Sequence, residues 1–552
     1  MVQFTNEANR VVIGFLDFVG PVASNRSLII IPPGFGQTKT EVIPVSYPLA
    51  RLGFVVLRYD HTDHVGESDG EILNSSLTSM EEDLQGALKF ARKKLHASKV
   101  GVAAYSLEFR NALRVAAGGT QIDFLCSILG MVDIRRALQS IYAQDIIALY
   151  HLGVRWGVSD LLGFKVNSDN FLSSAIRASL HTLRGAIRDA ERLTMPVLFI
   201  VGGKDLLTKR GAIEDVFHVI PSSQKEMRVL PDTMHVFNES KDSLRIVNEA
   251  LAYGASKYLN GDTHCKTKVD LCEKEVDERV EWERKRFRDL RSIDRREEID
   301  FWCTYLKDFR RIVNLPDYWS LQELIHDTWG GVAAGERILD AGSGTGNFGS
   351  YLIVKYLYRV MSSAVNHGTR PLFNYVGVDF VYSSLQEARG AHAALQKNCA
   401  EQVGLIKRNP FISCDFFQSD LAEPLCFRDN SFDKVCCNLV LSYVPDDHFT
   451  LKEMWRVLKP GGKMVVTTLK PHADLSEVYR NFLKMADSDK EIEDARCLLA
   501  NAGMIRAREA EGLYRFYSQQ ELESKLTDLG AVKPRILSAF SNQVFAGFAE
   551  KN

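Results

Sequence analysis

Three glycines at alternate positions mark a stretch of this sequence that could bind a small molecule. The segment Arg337–Gly349 reads RILDAGSGTGNFG, and its apolar start ends at Asp340, ahead of Gly342, Gly344 and Gly346. A strand, a tight glycine turn and a helix start allow the backbone to approach a nucleotide-like ligand closely. Because a carboxylate beside a helix start disfavours phosphate, the pattern predicts a cationic nucleoside such as S-adenosyl-L-methionine. An ordinary glycine-rich turn without a ligand is the alternative.

A serine, an aspartate and a histidine in the first half could form a second reactive group. Ser106 follows the strand-like run Val100–Tyr105 and precedes a helical pattern, which is the arrangement of a nucleophile elbow. Asp205 and His235 each come after a later strand-like run. The order serine, aspartate, histidine is that of α/β-hydrolases. We expect His235 to accept the proton of Ser106 while Asp205 holds the imidazole in its working tautomer.

Backbone N–H groups close to Ser106 could stabilise negative charge in such a reaction. Leu107 directly follows the serine, and Phe35 lies in the loop Pro32–Gly36 after the first predicted strand. The N–H groups of Leu107 and Phe35 are therefore the predicted oxyanion hole. The sequence around the serine reads AYSLE, so the usual G-x-S-x-G is absent.

These side chains need a sheet that brings strand ends together, and the first half has the pattern for one. Short apolar runs alternate with helical patterns, which indicates a parallel sheet with helices on both faces. We read His61 and His64 as loop residues, because no further ligand has the spacing of a metal site. The predicted strands are Leu28–Ile31, Phe54–Leu57, Val100–Ala104, Leu125–Leu129 and Val197–Val201.

Four segments of this half resemble the bacterial bioluminescence acyltransferase, a serine α/β-hydrolase that releases fatty acid from acyl carrier protein. They read RYDHTDHVGESDG, AYSLEFR, VGGKD and MHVFNES. The resemblance covers about residues 5–258, and that family also lacks a strict G-x-S-x-G. It implies a fatty-acyl or related thioester substrate and a triad of Ser106, Asp205 and His235. The aromatic-rich region Ile134–Leu183 would be a helical cap over an acyl pocket, and a plain helical insertion is the alternative.

A highly charged stretch separates the two halves. From Asp262 to Asp300 acidic and basic residues are interleaved without glycine or proline, which is typical of a solvent-exposed helix with i,i+4 ion pairs. We interpret residues 261–318 as a charged helical linker followed by a helix that opens the second domain. Residues 1–260 and 319–552 are then the two α/β domains.

In the second half, polar residues again follow predicted strands. Asp379 ends an apolar run and could accept both ribose hydroxyls of a nucleoside. Asp420 follows the next run and could accept the adenine amino group. Asn438 and Tyr443 lie in and just after a long central strand, where they could line a methyl-transfer site.

Five motifs of this half, in order, resemble class I S-adenosylmethionine-dependent methyltransferases, especially the group that acts on small molecules. They read ILDAGSGTGNFG, VGVDF, SDL, SFD and LKPGGK, within about residues 320–552. The resemblance implies a Rossmann-like sheet of seven strands and S-adenosyl-L-methionine as cofactor. The insertion Pro471–Leu513 would form part of the acceptor pocket, with a helical pair packed for stability as the alternative. The residues assigned to cofactor binding are Asp340, Gly342, Ser343, Gly344, Gly346, Asp379, Phe380, Asp420, Leu421 and Asn438.

The composition narrows the class of protein. A chain of 552 residues is too long for one core, so two or more domains are expected. With 68 basic and 70 acidic residues the net charge is −2, which provides no field that favours nucleic acid. No apolar window long enough for a membrane span and no signal-peptide pattern are visible. Ten scattered cysteines without a C-x-x-C pair predict a reducing, cytoplasmic location and no metal site.

The two motif sets lead to one main hypothesis and two alternatives. The main hypothesis is a bifunctional enzyme of lipid or secondary-metabolite biosynthesis. It would cleave or transfer a fatty-acyl or polyketide chain from a carrier-protein thioester and would methylate a small-molecule or acyl product. The first alternative is a methyltransferase whose hydrolase-like domain is a silent module that binds carrier protein. A nucleic-acid methyltransferase is disfavoured by the balanced charge.

Overall fold

The computed structural model describes most of the chain, which forms two compact units. The first unit comprises Met1–Leu290 with Gly503–Gly512, and the second comprises Arg291–Ala502 with Leu513–Asn552. The predicted boundaries at 260 and 319 stay a prediction. The described residues are 1–20, 26–142, 144–161, 164–205, 207–237, 241–262, 268–290, 295–309, 312–313, 315–362, 372–402, 412–471, 473, 488, 490–491, 505, 508–509 and 512–552.

The first unit is built on an eight-stranded sheet. Its strands are β1 (Val2–Thr5), β2 (Val11–Asp17), β3 (Leu28–Ile30), β4 (Val55–Tyr59), β5 (Val100–Tyr105), β6 (Phe124–Ile128), β9 (Val197–Gly202) and β10 (Lys225–Leu230), while a separate hairpin pairs β7 (Val158–Leu161) with β8 (Phe164–Asn167). The order in the large sheet is β1-β2-β4-β3-β5-β6-β9-β10; β2 is antiparallel to both β1 and β4, and the other pairs are parallel. This is the sheet of an α/β-hydrolase, so the predicted fold class is confirmed. The sequence reading missed β1 and β2, which form the antiparallel edge.

Helices cover both faces of this sheet and also build the predicted cap. They are α1 (Ile43–Arg51), α2 (Leu77–Lys93), α3 (Glu108–Ala117), α4 (Ile134–Tyr142), α5 (Ile146–His151), α6 (Ser168–Arg177), α7 (Leu183–Ala190), α8 (Arg210–Val219), α9 (Lys241–Asn260) and α10 (Glu273–Leu290). The helices α4, α5 and α6 lie in the region expected to be a helical cap, and the hairpin β7–β8 adds strands to it. Apolar residues of the cap form one buried cluster with Leu107 and with partly buried Phe35.

The charged helix α10 packs one of its faces on the first unit, contrary to the prediction of a solvent-exposed helix. The buried face contains Val276, Glu283 about two turns later, and Phe287 one turn after that. The Glu283 carboxylate accepts hydrogen bonds from two guanidinium nitrogens of fully buried Arg58, at 2.8 and 2.5 Å. Arg279, one turn earlier, donates to the same carboxylate at 2.7 Å. The i,i+4 pairing was predicted, whereas the buried face was not.

The second unit is built on a seven-stranded sheet. Its strands are β11 (Arg337–Ala341), β12 (Phe373–Asp379), β13 (Ile412–Gln418), β14 (Phe432–Asn438), β15 (Leu458–Leu469), β16 (Arg535–Ala539) and β17 (Val544–Glu550). Their order is β13-β12-β11-β14-β15-β17-β16, and β17 is antiparallel to both of its neighbours. The switch in strand order between β11 and β14 places a crevice at the carboxyl ends of these strands, where open α/β sheets bind ligands. The predicted Rossmann-like sheet with a terminal hairpin is confirmed.

Helices flank the second sheet on both sides. They are α11 (Arg295–Phe309), α12 (Pro316–Thr328), α13 (Asn347–Ser362), α14 (Tyr382–Gln402), α15 (Asp447–Val457) and α16 (Gln519–Asp528). Ser518 and Glu521 form the predicted capping box at the start of α16. Most of the predicted acceptor insertion, Pro471–Leu513, lies outside the described residues. Of the helices described, none is long and apolar enough to cross a bilayer.

Candidate active sites

Ser106 lies on a sharp turn between strand β5 and helix α3. Its backbone φ is +54°, a left-handed conformation that a residue with a side chain rarely adopts. The turn is fixed from both sides, because the Ser106 N–H donates to the Ile128 carbonyl and the Ser106 carbonyl accepts from the Met131 N–H. A strained strand-to-helix turn of this kind is the geometry of a nucleophile elbow. Ala104 and Glu108, which stand where glycines are usual, are both fully buried.

The structure brings the three predicted triad residues into one chain of hydrogen bonds. The Ser106 Oγ lies 2.7 Å from Nε2 of His235. On the other side of the ring, Nδ1 of His235 lies 2.8 Å from Oδ2 of Asp205. The first distance allows proton transfer from the serine nucleophile to the histidine base, and the second allows Asp205 to orient the imidazole. The Ser106 and His235 side chains are almost buried, with residue exposures of 8% and 9%.

Two residues that the sequence reading did not single out hold this chain in place. Thr208 donates its hydroxyl to Oδ2 of Asp205 at 2.7 Å, and its N–H donates to the other carboxylate oxygen. Burial alone would raise the pKa of Asp205, but attraction to His235 and the hydrogen bonds from His235 and Thr208 outweigh it and lower the pKa. The Tyr105 hydroxyl donates to the carbonyl of His235 at 2.9 Å. The only feature of the sequence that could have indicated this role of Tyr105 is its position next to Ser106.

The predicted oxyanion donors lie at the start of α3 and in the loop after β3. Leu107 precedes the first residue of α3, so its N–H has no partner within the helix. In the loop, the Gln37 N–H donates to the Gly34 carbonyl at 3.1 Å, and Gly36 has φ of +76°. This is a type II turn with Phe35 and Gly36 at its centre. Within the described part of the chain, neither Phe35 nor Leu107 gives its N–H to an acceptor.

His61 and His64, read from the sequence as loop residues, are both buried beside this turn. Nε2 of His64 accepts the N–H of Gly36 at 2.9 Å. Nε2 of His61 lies 3.3 Å from the carbonyl oxygen of Pro33. His64 therefore contacts the centre of the turn and His61 contacts the residue that precedes it, and no sequence pattern indicated either contact.

In the second unit, the glycine turn joins β11 to α13. Gly342, Gly344 and Gly346 all have positive φ, at +79°, +51° and +76°. A Cβ on Gly342 would lie 2.6 Å from the Val440 side chain, so no larger residue fits there. A Cβ on Gly344 would meet no atom closer than the Leu306 side chain, at 3.4 Å. The middle of the turn is thus the part that a ligand can approach.

Asp379 ends β12 directly beside the glycine turn. Its Oδ2 accepts the N–H of Gly344 at 2.9 Å, and its Oδ1 accepts the N–H of Val381 at 2.8 Å. Burial raises the pKa of Asp379 to about 6, against the lowering effect of these two hydrogen bonds. Phe380 follows it and is partly exposed. The structure therefore places this carboxylate beside the glycine turn, and the ribose contact stays a prediction.

Asp340 lies below the turn rather than in its open part. The Tyr375 hydroxyl donates to its Oδ2 at 2.5 Å, and the Cys436 thiol lies 3.2 Å from its Oδ1. The residue is 2% exposed, and burial raises its pKa to about 6. Both carboxylate oxygens are engaged by the protein, so this side chain supports the turn from beneath.

The remaining assigned residues lie at the carboxyl ends of neighbouring strands. The Ser419 N–H donates to the Asp379 carbonyl at 3.0 Å, which brings the segment with Asp420 and Leu421 next to Asp379. Leu421 is buried in the core, while Asp420 is partly exposed. Asn438, at the end of β14, accepts the Thr467 hydroxyl at 2.6 Å. Its amide also donates to Oε1 of Gln322 at 3.2 Å. These two contacts hold Asn438 and leave part of its hydrogen-bonding capacity unused.

Two features of the turn fit a bound S-adenosyl-L-methionine. The approach to Gly344 is free of backbone atoms, as a ligand held by the backbone requires. The hydroxyl of Ser343 is buried and has no partner among the residues described. A buried polar group without a partner is costly, and a polar ligand at the turn would supply one.

An aromatic cluster of the second unit surrounds Tyr443, the residue predicted to line the transfer site. The ring of Tyr443 lies 4.9 Å from that of Trp302 in α11 and 5.0 Å from that of Tyr514. Both neighbours also donate to the buried carboxylate of Glu298, at 2.9 and 2.7 Å. The sequence analysis predicted a helix that opens the second domain but did not single out Glu298, which lies in a stretch dense in charged residues.

Comparison with known proteins identifies both domains. Residues 20–278 match the family model described as acyl transferase, and residues 333–522 match the one described as methyltransferase domain. The chain is therefore an enzyme in which an acyl transferase domain is followed by a methyltransferase domain. Both resemblances drawn from the sequence are confirmed.

Curated relatives and solved structures match the first half. An acyl transferase from Photobacterium phosphoreum is 24% identical over 230 residues, which are 42% of this chain and 74% of that protein. One from Vibrio campbellii is 25% identical over 222 residues, or 40% of this chain and 72% of that protein. The structure of Est1E from Butyrivibrio proteoclasticus with ferulic acid has a TM-score of 0.38 and 17% identity, covering 47% of this chain and all (100%) of that chain. The strand order described above defines the fold independently of that score.

Proposed function

We propose that the first domain transfers or hydrolyses an acyl group through an acyl-Ser106 intermediate. His235 takes the proton of the Ser106 hydroxyl as the oxygen attacks the carbonyl carbon of an acyl thioester. The N–H groups of Phe35 and Leu107 hold the resulting oxyanion. When it collapses, the carbon–sulfur bond breaks and His235 returns the proton to the leaving thiolate. Water or another hydroxyl then removes the acyl group by the same steps, with Asp205 orienting the imidazole throughout. The hydrogen-bond chain from Ser106 to Asp205 carries this proposal.

The cap supports a long apolar acyl chain as the substrate. Leu107, which follows the nucleophile, belongs to the same apolar cluster as Met131, Phe164 and Phe171 of the cap region. Phe35 packs against two of these, with ring centroids 5.7 Å from Phe164 and 5.5 Å from Phe171. An acyl chain leaving Ser106 would therefore enter an apolar environment. We propose a fatty-acyl or polyketide chain delivered as a carrier-protein thioester.

We further propose that the second domain binds S-adenosyl-L-methionine, which when bound supplies an activated methyl group. The turn Gly342–Gly346, including Ser343, would hold its amino-acid end, and Asp379 its ribose. Phe380, Asp420, Leu421 and Asn438 would surround the adenine and the sulfonium, with Asp340 supporting the turn from beneath. Tyr443 and its aromatic neighbours would orient a small-molecule acceptor, since methyl transfer can proceed largely by alignment.

Together the domains describe a bifunctional enzyme that releases an acyl chain and methylates that product or a related small molecule. We place it in lipid or secondary-metabolite biosynthesis. A cytoplasmic location fits the cysteines, because the seven whose side chains the structure describes are free thiols.

A fluorophosphonate probe tests the first activity against the alternative of a silent binding module. The wild-type protein should be labelled at Ser106 and should hydrolyse palmitoyl-coenzyme A, and Ser106→Ala should lose both. Ser140→Ala, which removes an exposed hydroxyl of α4, is the matched control and should retain both. An unlabelled wild-type protein without thioesterase activity would instead support the silent module.

A further inference from the structure

The segment between β4 and the first helical turn after it carries two buried histidines that the proposed reaction does not use. His61 is 0% exposed and His64 is 4% exposed, and their ring centroids lie 5.8 Å apart. Each ring contacts the loop that contains Phe35. A buried pair of this kind needs a reason, because polar side chains in a core are costly unless they are satisfied.

His64 fixes the second half of the type II turn. Its Nε2 accepts the Gly36 N–H at 2.9 Å, so the proton of the neutral ring lies on Nδ1. Burial, together with the neighbouring His61, holds the pKa of His64 well below its usual value, which keeps Nε2 an acceptor. The same ring packs edge-on against Phe35, with centroids 5.3 Å apart. One imidazole therefore contacts both residues of the Phe35–Gly36 peptide, the first through its ring and the second through its N–H.

His61 fixes the first half of the turn and connects it to α3. Its Nε2 lies 3.3 Å from the Pro33 carbonyl, and its Nδ1 lies 3.3 Å from Oδ2 of Asp83. The carboxylate of Glu108, in the first turn of α3, is 3.7 Å from Nε2. Burial lowers the pKa of His61, but attraction to Glu108 and the Asp83 hydrogen bond outweigh it and raise the pKa. A donor on both nitrogens suits these three acceptors.

We propose that His61 and His64 are positioning residues that align the Phe35 N–H with the Leu107 N–H in the oxyanion hole. The inference rests on the acyl-transfer function proposed above. The position of the Leu107 N–H is set by α3, which begins at Glu108. The position of the Phe35 N–H is set by a short loop. The two histidines supply side-chain hydrogen bonds that connect this loop to the segment after β4.

Variants of His64 separate positioning from packing. In His64→Gln the side-chain oxygen can occupy the place of Nε2 and accept the Gly36 N–H. In His64→Asn the oxygen falls at the place of Nδ1 and cannot reach it, and His64→Leu has no acceptor. For hydrolysis of palmitoyl-coenzyme A, we expect kcat of the Asn and Leu variants to fall by about 10- to 100-fold with little change in KM. The Gln variant should recover at least half of that loss on a logarithmic scale.

A transition-state analogue provides a readout that a purely structural role would not change. A long-chain alkyl trifluoromethyl ketone forms a tetrahedral adduct with the serine, so its affinity should fall in parallel with kcat. 1-Hexadecanol, which has the same chain length but no negative charge for the oxyanion hole to bind, should bind all variants as tightly as wild type. His218→Leu, an exposed histidine of α8, is the control and should behave as wild type.

The results separate this inference from the proposed function itself. Absence of activity and labelling in the wild-type protein would refute acyl transfer at Ser106. An active wild type together with an Asn variant within twofold of its kcat would refute only the positioning role. Equal losses in the Gln, Asn and Leu variants, with 1-hexadecanol affinity lost as well, would also refute it. If the Leu variant does not fold, the Gln and Asn pair decides.

Discussion

The backbone of Ser106 is strained at the position from which its hydroxyl can react. A left-handed φ of +54° on a residue with a side chain costs of order 1–3 kcal/mol, and it persists because the surrounding hydrogen bonds determine it. The same conformation lifts the hydroxyl toward His235. Strain of this kind at a side chain with a base 2.7 Å away indicates function rather than packing.

Removing the charge of Asp205 tests the orientation of the imidazole. In Asp205→Asn the amide can no longer accept the Nδ1 proton in the same way, so the wrong tautomer faces Ser106. We expect kcat for thioester hydrolysis to fall by about 10⁴-fold with KM nearly unchanged. Thr208→Val, which removes only one hydrogen bond to the carboxylate, should cost no more than about tenfold. Equal activity of Asp205→Asn and wild type would contradict the triad.

Asp379 should make cofactor binding depend on pH. Because burial raises its pKa to about 6, the carboxyl group is increasingly protonated as the pH falls through 6. An ionised carboxylate accepts hydroxyl hydrogen bonds more strongly, so affinity for S-adenosyl-L-methionine should be full near pH 8. It should weaken by up to about tenfold per unit below pH 6, as measured by calorimetry. The Asp379→Asn variant should bind more weakly than wild type above pH 6, with a flatter profile. An unchanged profile in that variant would instead assign the titration to Asp340.

At the scale of elements, α10 shows how a charged sequence can hide a buried contact. Its composition predicts a solvated helix, and only three residues spaced along one face contradict this. The Glu283–Arg58 pair joins residues 225 positions apart in the sequence, so no local pattern could indicate it. Contacts of this kind depend on tertiary structure, which a single sequence does not display.

Breaking that pair should destabilise the first unit. In Glu283→Ala the buried Arg58 guanidinium keeps its ion pair with Asp17 but loses two hydrogen bonds, which should lower the free energy of unfolding by about 1–3 kcal/mol. Urea denaturation followed by circular dichroism measures this loss. Glu278→Ala in the same helix removes an exposed carboxylate, 3.9 Å from Lys274, and should change stability by less than about 0.5 kcal/mol. Equal effects of the two substitutions would show that α10 is not anchored through Glu283.

The features that could be predicted from the sequence are likewise those with a local signal, and most of the features that were missed depend on long-range contacts. The strands that carry the two sites were found because short apolar runs end in turn residues, and Ser106, Asp205 and His235 were found because each follows such a run. The edge strand β1 was missed because it is short and mixes polar with apolar residues, whereas β2, which reads VVIGFLD, has the apolar signal and was overlooked. Thr208, Tyr105, His61, His64 and Glu298 were missed as supporting residues because each acts through a contact formed only in the folded chain.

At the scale of the whole molecule, two sheets with different strand orders each carry one site at their carboxyl ends. The serine site lies within the first unit, and the glycine turn lies within the second. No residue that we assign to one site belongs to the other unit. The two activities should therefore be lost separately.

Reciprocal variants of the full chain test this separation. Gly344→Ala places a methyl group where the cofactor would approach the turn, so calorimetry should show that S-adenosyl-L-methionine binding is lost or weakened by more than about 100-fold. Its hydrolysis of palmitoyl-coenzyme A should stay within twofold of wild type. Ser106→Ala should show the opposite behaviour. Loss of both activities in either variant, with thermal unfolding unchanged, would contradict independent sites.

The most direct test is to trap the acyl-enzyme. The full-length protein is mixed with palmitoyl-coenzyme A, quenched in acid within seconds, digested and analysed by mass spectrometry. We predict a single palmitoyl group on the peptide that contains Ser106, in wild type and in Gly344→Ala but not in Ser106→Ala. Hydrolysis without any acylated peptide, or an acyl group on a different residue, would contradict the account.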